Sequence, residues 1–415
     1  MYQFRIDDGK TKMIDWTRKT RNLRPIGLDI GHSSVKMIQL VNNDGEVKVL
    51  AADKVRIDES IDGNGEERRD FIISAIKQML AKGSFRGREV VSCLPNDILK
   101  ITSLRLSETE SEKIDQALRK EAFQRFGMDQ DNVSIDYALA GDVRHGDEIK
   151  SELILFAADN EEIKNHMKML EKAGLRPEGI DPVPCALFRC FRRLLRRQED
   201  KSRSYVFVDV GNKFTTIVFV RGGEISFVKQ IPIGGARFNE EIAGKLDLSV
   251  DEAMMLRCKL QMQKLPDGEQ ELQDSDSDST KQASQAETEQ ERQDDGALDA
   301  STQQVIDDAI NVAAEQLARE ISLCFKYYTV TFRGKRVDRA FFCGGEAYEN
   351  TLLDILRRKL SVDIEVAQPL RGFILPTERS ILDFHNDKQR LFCEWAVAVG
   401  LTLKGWEKMA YCESL

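Results

Sequence analysis

The stretch PIGLDIGHSSVKMIQL, residues 25–40, sets two apolar runs on either side of a small, polar tip. Ile26, Leu28 and Ile30 alternate with Gly27 and Asp29 as a strand does, and Val35, Met37 and Ile38 resume extended chain a few residues later. The segment predicts a hairpin. At its tip Gly31 permits a tight backbone, His32, Ser33 and Ser34 offer amides and hydroxyls, and Lys36 adds a cation, a set suited to an anion such as phosphate. Asp29, at the strand end, would repel that anion unless a cation lay between them. Taken alone, the same residues also describe a polar hairpin tip with an exposed carboxylate.

The pattern returns at residues 205–235, YVFVDVGNKFTTIVFVRGGEISFVKQIPIGG. A strand, Asp209, Gly211, a polar tip, a second strand, the Gly222-Gly223 turn and a third strand repeat residues 26–57, where VKVLAADKVRI is the third strand. Two matching hairpins imply two related lobes. The spacing of Phe71, Ile72, Ala75, Ile76, Met79 and Leu80 predicts a helix in ERRDFIISAIKQMLAKG, ended by Gly83. Residues 1–24 read as a flexible extension, 25–87 as the first lobe, 88–180 as an inserted α/β subdomain, 181–204 as a connecting helix, 205–404 as the second lobe and 405–415 as a tail. The insert begins at EVVSCLP and carries LKITSLRL, VSIDYALA and SELILFAA as further strands.

Composition supports a folded chain with one exception. Of 415 residues 41% are hydrophobic and 32% charged, which suits a soluble protein of two or three domains. Residues 267–299 hold twelve Asp and Glu against Lys281 and Arg292, so they account for the whole net charge of −9 and leave the remainder near +1. That balance argues against a general nucleic-acid binder. The surrounding segment 264–300, almost without aliphatic residues, is expected to be disordered. Eight cysteines without a C-x-x-C pair read as reduced, mainly buried thiols of a cytosolic protein. No signal peptide and no membrane-crossing run is evident.

The order of motifs permits a narrower reading. GLDIGHSSVKMIQL, EAFQRFG with VSIDYAL and LILFAA, LEKAGLRPEGIDPVPCALFR, VDVGNKFTTIVF, GGARFNEEIAGKLDLSVDEAMMLRCK, LAREISLCFKYY, FFCGGEA and WAVAVGLTL follow one another as in PilM-like type IV pilus assembly proteins. The chain thus resembles cytoplasmic, FtsA-related members of the actin-like ATPase superfamily over residues 25–404, the acidic insert aside. The resemblance implies an α/β, two-lobed actin-like ATPase fold with a small inserted subdomain in the first lobe and a disordered acidic insert in the second. It implies ATP or ADP with magnesium in the interlobe cleft. Asp29, Gly31, His32, Ser33, Ser34 and Lys36 would serve from the first tip, and Asp209, Gly211, Asn212, Lys213 and Thr215 from the second. Glu241, Gly344, Gly345 and Glu346 would line the adenosine side, while Asp29 and Asp209 would orient magnesium through water. The implied partner is a PilN-like inner-membrane protein, bound through its short cytoplasmic N-terminal peptide in a groove beside the insert. The protein would be cytoplasmic and peripheral at the inner membrane, with self-association left open. His32 and Glu346 depart from the smaller residues usual at those positions.

Other readings use the same residues. A small-molecule kinase of the superfamily would need a general base, for which Asp181 in GIDPVP is the sole candidate. A cytoplasmic component of a type II secretion or DNA-uptake system would share the adaptor role, and hydrolysis should be slow at most. An FtsA-like filament former is weakened by the short, mixed tail KGWEKMAYCESL. ALFRCFRRLLRRQEDKSR reads as one helix whose arginine stripes form a solvated face, or meet anionic lipid or an acidic partner. Glu240, Glu241 and Lys259 belong either to the adenosine pocket or to an amphipathic surface helix.

Overall fold

The computed structural model describes residues 22–43, 45–58, 61, 65–106, 111–145, 148–195, 197–263, 299–332, 336–376 and 392–404. Residues 1–21 of the extension, nearly all of the acidic insert and the tail read from the sequence lie outside these residues, while Leu23 bridges to Val41 of β2. Along the chain come β1 (Ile26–Ile30), β2 (Ser34–Asn43), β3 (Glu46–Arg56), α1 (Glu66–Lys82), β4 (Glu89–Ser92), β5 (Lys100–Leu106), α2 (Ser111–Phe126), β6 (Val133–His145), β7 (Glu148–Asp159), α3 (Asn160–Lys172), β8 (Arg176–Ile180) and α4 (Val183–Arg192). There follow β9 (Ser204–Val210), β10 (Thr215–Arg221), β11 (Glu224–Ile231), α5 (Gly235–Leu246), α6 (Val250–Gln263), α7 (Ala300–Thr331), β12 (Arg339–Cys343), α8 (Asn350–Lys359), β13 (Asp363–Val366) and α9 (Ala396–Thr402).

The chain divides into two compact units, Met1–Ala236 with Gln316–Leu415, and Arg237–Glu315. The first holds two five-stranded sheets of matching order, β3-β2-β1-β4-β8 and β11-β10-β9-β12-β13. In each, three antiparallel strands are followed by two parallel ones. This is the repeat that the two hairpins predicted. The second unit contains α5, α6 and the first part of α7, with Arg257 donating to Asn239 Oδ1 at 2.7 Å.

The boundaries 88–180 for the inserted subdomain need correction. β4 pairs in parallel with β1, Ile26 opposite Val90, and β8 pairs with β4, so both strands complete the first sheet. β4 is a short, mostly buried apolar run, and β8, RPEGI, is a polar edge strand, so neither carries a local mark of the sheet it joins. What remains as an insert is the β5-β7-β6 sheet with α2 packed on it through Ile114, Leu118 and Ala122.

Two helices fill the interior of the first unit. α4 packs against β9 and β10, α9 packs against β1 and β2, and the two meet each other. Every residue of α9 is buried, as befits a helix apolar on all sides. Close approach requires glycine at two points: a Cβ on Gly27 would lie 2.1 Å from the Ala398 carbonyl oxygen, and one on Gly400 1.9 Å from that of Ala186.

Asp181 ends the β8 connection as a fully buried carboxylate. It accepts from Arg189 at 2.8 Å and Lys404 at 2.9 Å, which also donate to the carbonyls of Gly400 and Ile180. Burial would raise its pKa, but the two cations outweigh that and hold it below the usual carboxylate range. The arginine-rich helix also differs from its reading. α4 stops at Arg192, and a separate 3-10 turn spans Gln198–Ser202. Arg193 donates to the carbonyls of Pro369 and Arg371 and lies 4.0 Å over the Phe373 ring, so part of the stripe is consumed by the fold.

His166 of α3 is buried and hydrogen-bonded to Ser92 Oγ at 2.8 Å. Burial holds its imidazole down at about 4. The unfolded chain binds that proton near pH 6.5, so between these values the unfolded state holds more protons and acidification favours it. The chain should therefore lose about 2 kcal/mol of stability from pH 7 to pH 5 through this group. Urea midpoints at the two pH values check this, and His166→Gln should flatten the difference.

Candidate functional site

Both hairpin tips close by the same bond. Gly31 N–H donates to Ser34 O at 2.9 Å and Gly211 N–H to Phe214 O at 3.0 Å. Each tip is anchored from behind. Arg68 of α1 donates to the Gly31 and His32 carbonyls at 2.8 and 3.1 Å, while Gly235 and Ala236 donate to the Gly211 and Asn212 carbonyls. The tips also approach one another, with the His32 and Phe214 rings 5.4 Å apart and tilted. Burial lowers the His32 pKa, Asp97 at 3.9 Å opposes this, and Arg68 and Lys213 lower it further.

Behind the tips lie the two aspartates. Asp29 is buried and Lys36 Nζ stands 3.4 Å from its Oδ2. Burial opposes the Lys36 charge, but Asp29, Glu394 and Asp209 outweigh it and raise the ammonium above its ordinary value. Asp209 is pushed up to about 7 by burial and by Asp29, with Lys36 acting the other way. Lys36 is thus ion-paired with Asp29, while Asp209 of the other sheet acts on both through space. The Gly344-Gly345 turn adjoins this pair: Gly344 has φ +93°, and a Cβ there would lie 2.6 Å from Asp209 Oδ1. Only glycine fits that place without strain.

The structure brings together most of the residues read from the sequence. Asp29, Gly31, His32, Lys36, Asp209, Gly211, Lys213 and Gly344 fall in one neighbourhood. Ser33 accepts from Ile57 N–H, and Ser34 is buried in β2. Thr215 is committed elsewhere, its hydroxyl donating to the Ile233 carbonyl at 2.7 Å. Glu346 donates through its backbone to Val210 O, and its carboxylate covers the space where Gly235 would carry a Cβ. Glu241 belongs to the second unit and is ion-paired with Arg237 there. Asp181, the candidate kinase base, is spent on its two cations.

Sequence reasoning missed a pair of thiols. Cys93 Sγ lies 3.8 Å from Asp29 Oδ1 and Cys343 Sγ 4.0 Å from Asp209 Oδ1. Burial, then the adjacent aspartate, pushes both thiols well up, so they are neutral. The signal was present in VSCLP and FFCGG, where Cys93 follows and Cys343 ends a strand paired in parallel with a hairpin strand. The seven cysteines among the described residues are free, as expected, and only Cys258 of these is exposed. No group of three or more metal-ligating side chains and no helix able to cross a membrane occurs among the described residues.

Paired sheets of one topology, each presenting a hairpin aspartate beside a glycine-lined turn, define an actin-like ATPase fold. The chain belongs to the family of type IV pilus assembly protein PilM, whose profile matches residues 27–272, more than half of its length. Among solved structures, a chain of a PilM-PilN type IV pilus biogenesis complex is 20% identical with a TM-score of 0.71, covering 92% of this chain and 99% of that one. The ethanolamine utilization protein EutJ from Carboxydothermus hydrogenoformans matches at 14% identity and a TM-score of 0.48, over 92% and 89% of the two chains. MreB5 of Spiroplasma citri bound to ADP matches at 10% identity and a TM-score of 0.42, over 94% and 98%.

Proposed function

We propose that this type IV pilus assembly protein is a nucleotide-dependent adaptor, holding ATP or ADP with magnesium at the hairpin pair and binding a PilN-like inner-membrane protein. The observation that carries the nucleotide reading is the placement of Asp29 and Asp209 at equivalent positions of the two sheets, behind hairpin tips whose His32 and Phe214 rings lie 5.4 Å apart. A hydrated divalent cation near Asp209 would favour its ionised form, and bound magnesium is what would bring that second carboxylate into play beside the Asp29–Lys36 pair. The tip residues Gly31 to Ser34 and Gly211 to Lys213, with Lys36, suit the phosphates, and Gly344 and Gly345 leave room for the nucleoside. Bound magnesium would screen phosphate from the aspartates. Glu346 places a carboxylate at the same turn, which favours modest affinity.

Calorimetry with magnesium and ADP tests this reading. The parent should bind, and Asp29→Ala or Asp209→Ala should each weaken binding at least tenfold, about 1.4 kcal/mol. Absence of binding by a folded parent, or binding indifferent to both changes, would overturn it. Slow hydrolysis is expected, since the one carboxylate read as a candidate base, Asp181, is held by Arg189 and Lys404.

Support for the partner comes from the family and from the insert. β5 and β6 are edge strands of the three-stranded sheet, and Phe123 and Leu139 leave about half of their surfaces exposed, at 53% and 56%. Strand edges and a few apolar anchors are what an extended peptide requires. Such a contact would hold the protein peripherally at the inner membrane. The intact chain should retain a PilN-like protein from solubilised membranes, and Phe123→Asp with Leu139→Asp should release it. Removal of residues 88–180 is unsuitable as a test, because it would take β4 and β8 out of the first sheet.

A further inference from the structure

His32 is the one side chain of the first tip, residues 31–34, that can take a positive charge. Lys36 stands behind the tip at 3.4 Å from Asp29, so part of its charge is already balanced. The His32 ring is held in place. Arg68 donates to the Gly31 and His32 carbonyls, the Phe214 ring of the second tip lies 5.4 Å away, and Nε2 faces Asp97 Oδ1 at 3.9 Å. Asp97 belongs to the loop between β4 and β5, which is itself tied down. Its neighbour Asn96 accepts from Gln230 of β11 at 3.0 Å and donates to Thr216 Oγ1 of β10 at 3.5 Å, and Lys100 donates to the Asp97 carbonyl at 2.6 Å. The loop thus reaches from the second sheet to the first tip. The His32 side chain stays 19% exposed, enough for an anion to reach it.

Charges face the ring from four elements. Burial disfavours the imidazolium and outweighs Asp97, which favours it; Arg68 of α1 and Lys213 of the second tip oppose the charge, and Asp29 of β1 supports it. The balance lies below the ordinary histidine value, so the ring is neutral at neutral pH before an anion arrives. A phosphate between the tips reverses that balance by adding negative charge beside a ring that already faces a carboxylate. Protonation also supplies a donor. A neutral ring has one N–H, whereas the imidazolium has two, so that Nε2 can keep Asp97 while Nδ1 serves the phosphate.

We propose that His32 and Asp97 make the first tip a proton-linked phosphate site, in which a bound phosphate draws a proton onto His32 and Asp97 positions the ring that receives it. This rests on the reading that the hairpin tips hold the phosphates of a nucleotide. A ligand that prefers the protonated ring takes up a proton on binding and binds more tightly as pH falls.

Calorimetry of ADP with magnesium, in buffers of unlike ionisation enthalpy, counts that proton. The parent should take up more of it than His32→Ser at pH 7. Between pH 8 and pH 6 the affinity of the parent should rise by about threefold or more relative to that variant. Asp209, at about 7, would titrate in the same range with the opposite sign when a cation binds, so the difference from His32→Ser is what isolates the imidazole. Nuclear magnetic resonance of the histidine-labelled chain reads the ring itself. The chain has four histidines, and the resonance missing from His32→Ser identifies this one. Its titration midpoint should lie below the ordinary histidine value and rise when ADP and magnesium are added, and Asp97→Asn should lower it in both states. Proton uptake equal in parent and His32→Ser, or a midpoint unmoved by bound ADP, would overturn the proposal and leave nucleotide binding standing. A midpoint indifferent to Asp97→Asn would overturn the part given to Asp97. A folded parent that binds no ADP would overturn the nucleotide reading and this proposal with it.

Discussion

Asp181→Ala should cost about 3–5 kcal/mol of stability, although Asp181 touches no part of the nucleotide-type site. The carboxylate is fully buried and each oxygen accepts from a different cation, Arg189 at 2.8 Å and Lys404 at 2.9 Å. Removing it leaves two mostly buried positive charges facing each other with their counterion gone. Neither can turn fully to water, because Arg189 is also held by the Gly400 carbonyl and Lys404 by that of Ile180. The Arg189 donation meets the C-terminal end of α9, where carbonyls lack helical partners, and that of Lys404 meets the end of β8. Urea unfolding of Asp181→Ala against the parent measures the loss. If the penalty is that of stranded charge, Asp181→Leu with Arg189→Met and Lys404→Met should recover much of it. A loss below about 1 kcal/mol for the single change would mean that water or another anion replaces the carboxylate.

That triad also marks where sequence reasoning stops. Asp181 and Lys404 stand 223 residues apart, and nothing local in GIDPVP or GLTLKGW announces their pairing. The hairpins were legible because alternation, Asp-x-Gly and the Gly-Gly turn are local signals, and because they occur twice. From two copies the matching sheets follow, and with them the meeting of Asp29 and Asp209. β4 and β8 were placed with the insert because β4 is too short to show more than apolarity and β8, the polar edge strand RPEGI, shows no strand pattern at all. The arginine run looked like a solvated face because the partners of Arg189 in α4 and of Arg193 just past it, the carbonyls of Gly400, Pro369 and Arg371 and the Asp181 carboxylate, are not adjacent on the helix. Thr215 shows the same limit in the site itself. A hydroxyl beside a polar tip suits phosphate, yet the Ile233 carbonyl takes its hydrogen bond.

Gly400→Ala should destabilise the chain by about 3 kcal/mol, reversing the gain of about 1 kcal/mol that Gly to Ala ordinarily brings inside a helix. The added methyl would stand 1.9 Å from the Ala186 carbonyl oxygen and 2.4 Å from its carbon, both backbone atoms of α4. No rotamer change can relieve contact with backbone, so α4 and α9 must separate. Both helices are packed on the sheets that carry Asp29 and Asp209, and separation would loosen those sheets as well as the helix contact. Gly244 of α5 supplies the comparison, since a Cβ there meets nothing within 4 Å. Gly244→Ala should stabilise by roughly 0.5–1 kcal/mol through the smaller entropy of its unfolded chain. Thermal and urea unfolding of the two variants beside the parent decides the matter. Opposite signs are required, and a Gly400→Ala variant as stable as the parent would show that the helices can part without cost and that their close crossing is not what fixes the two sheets together.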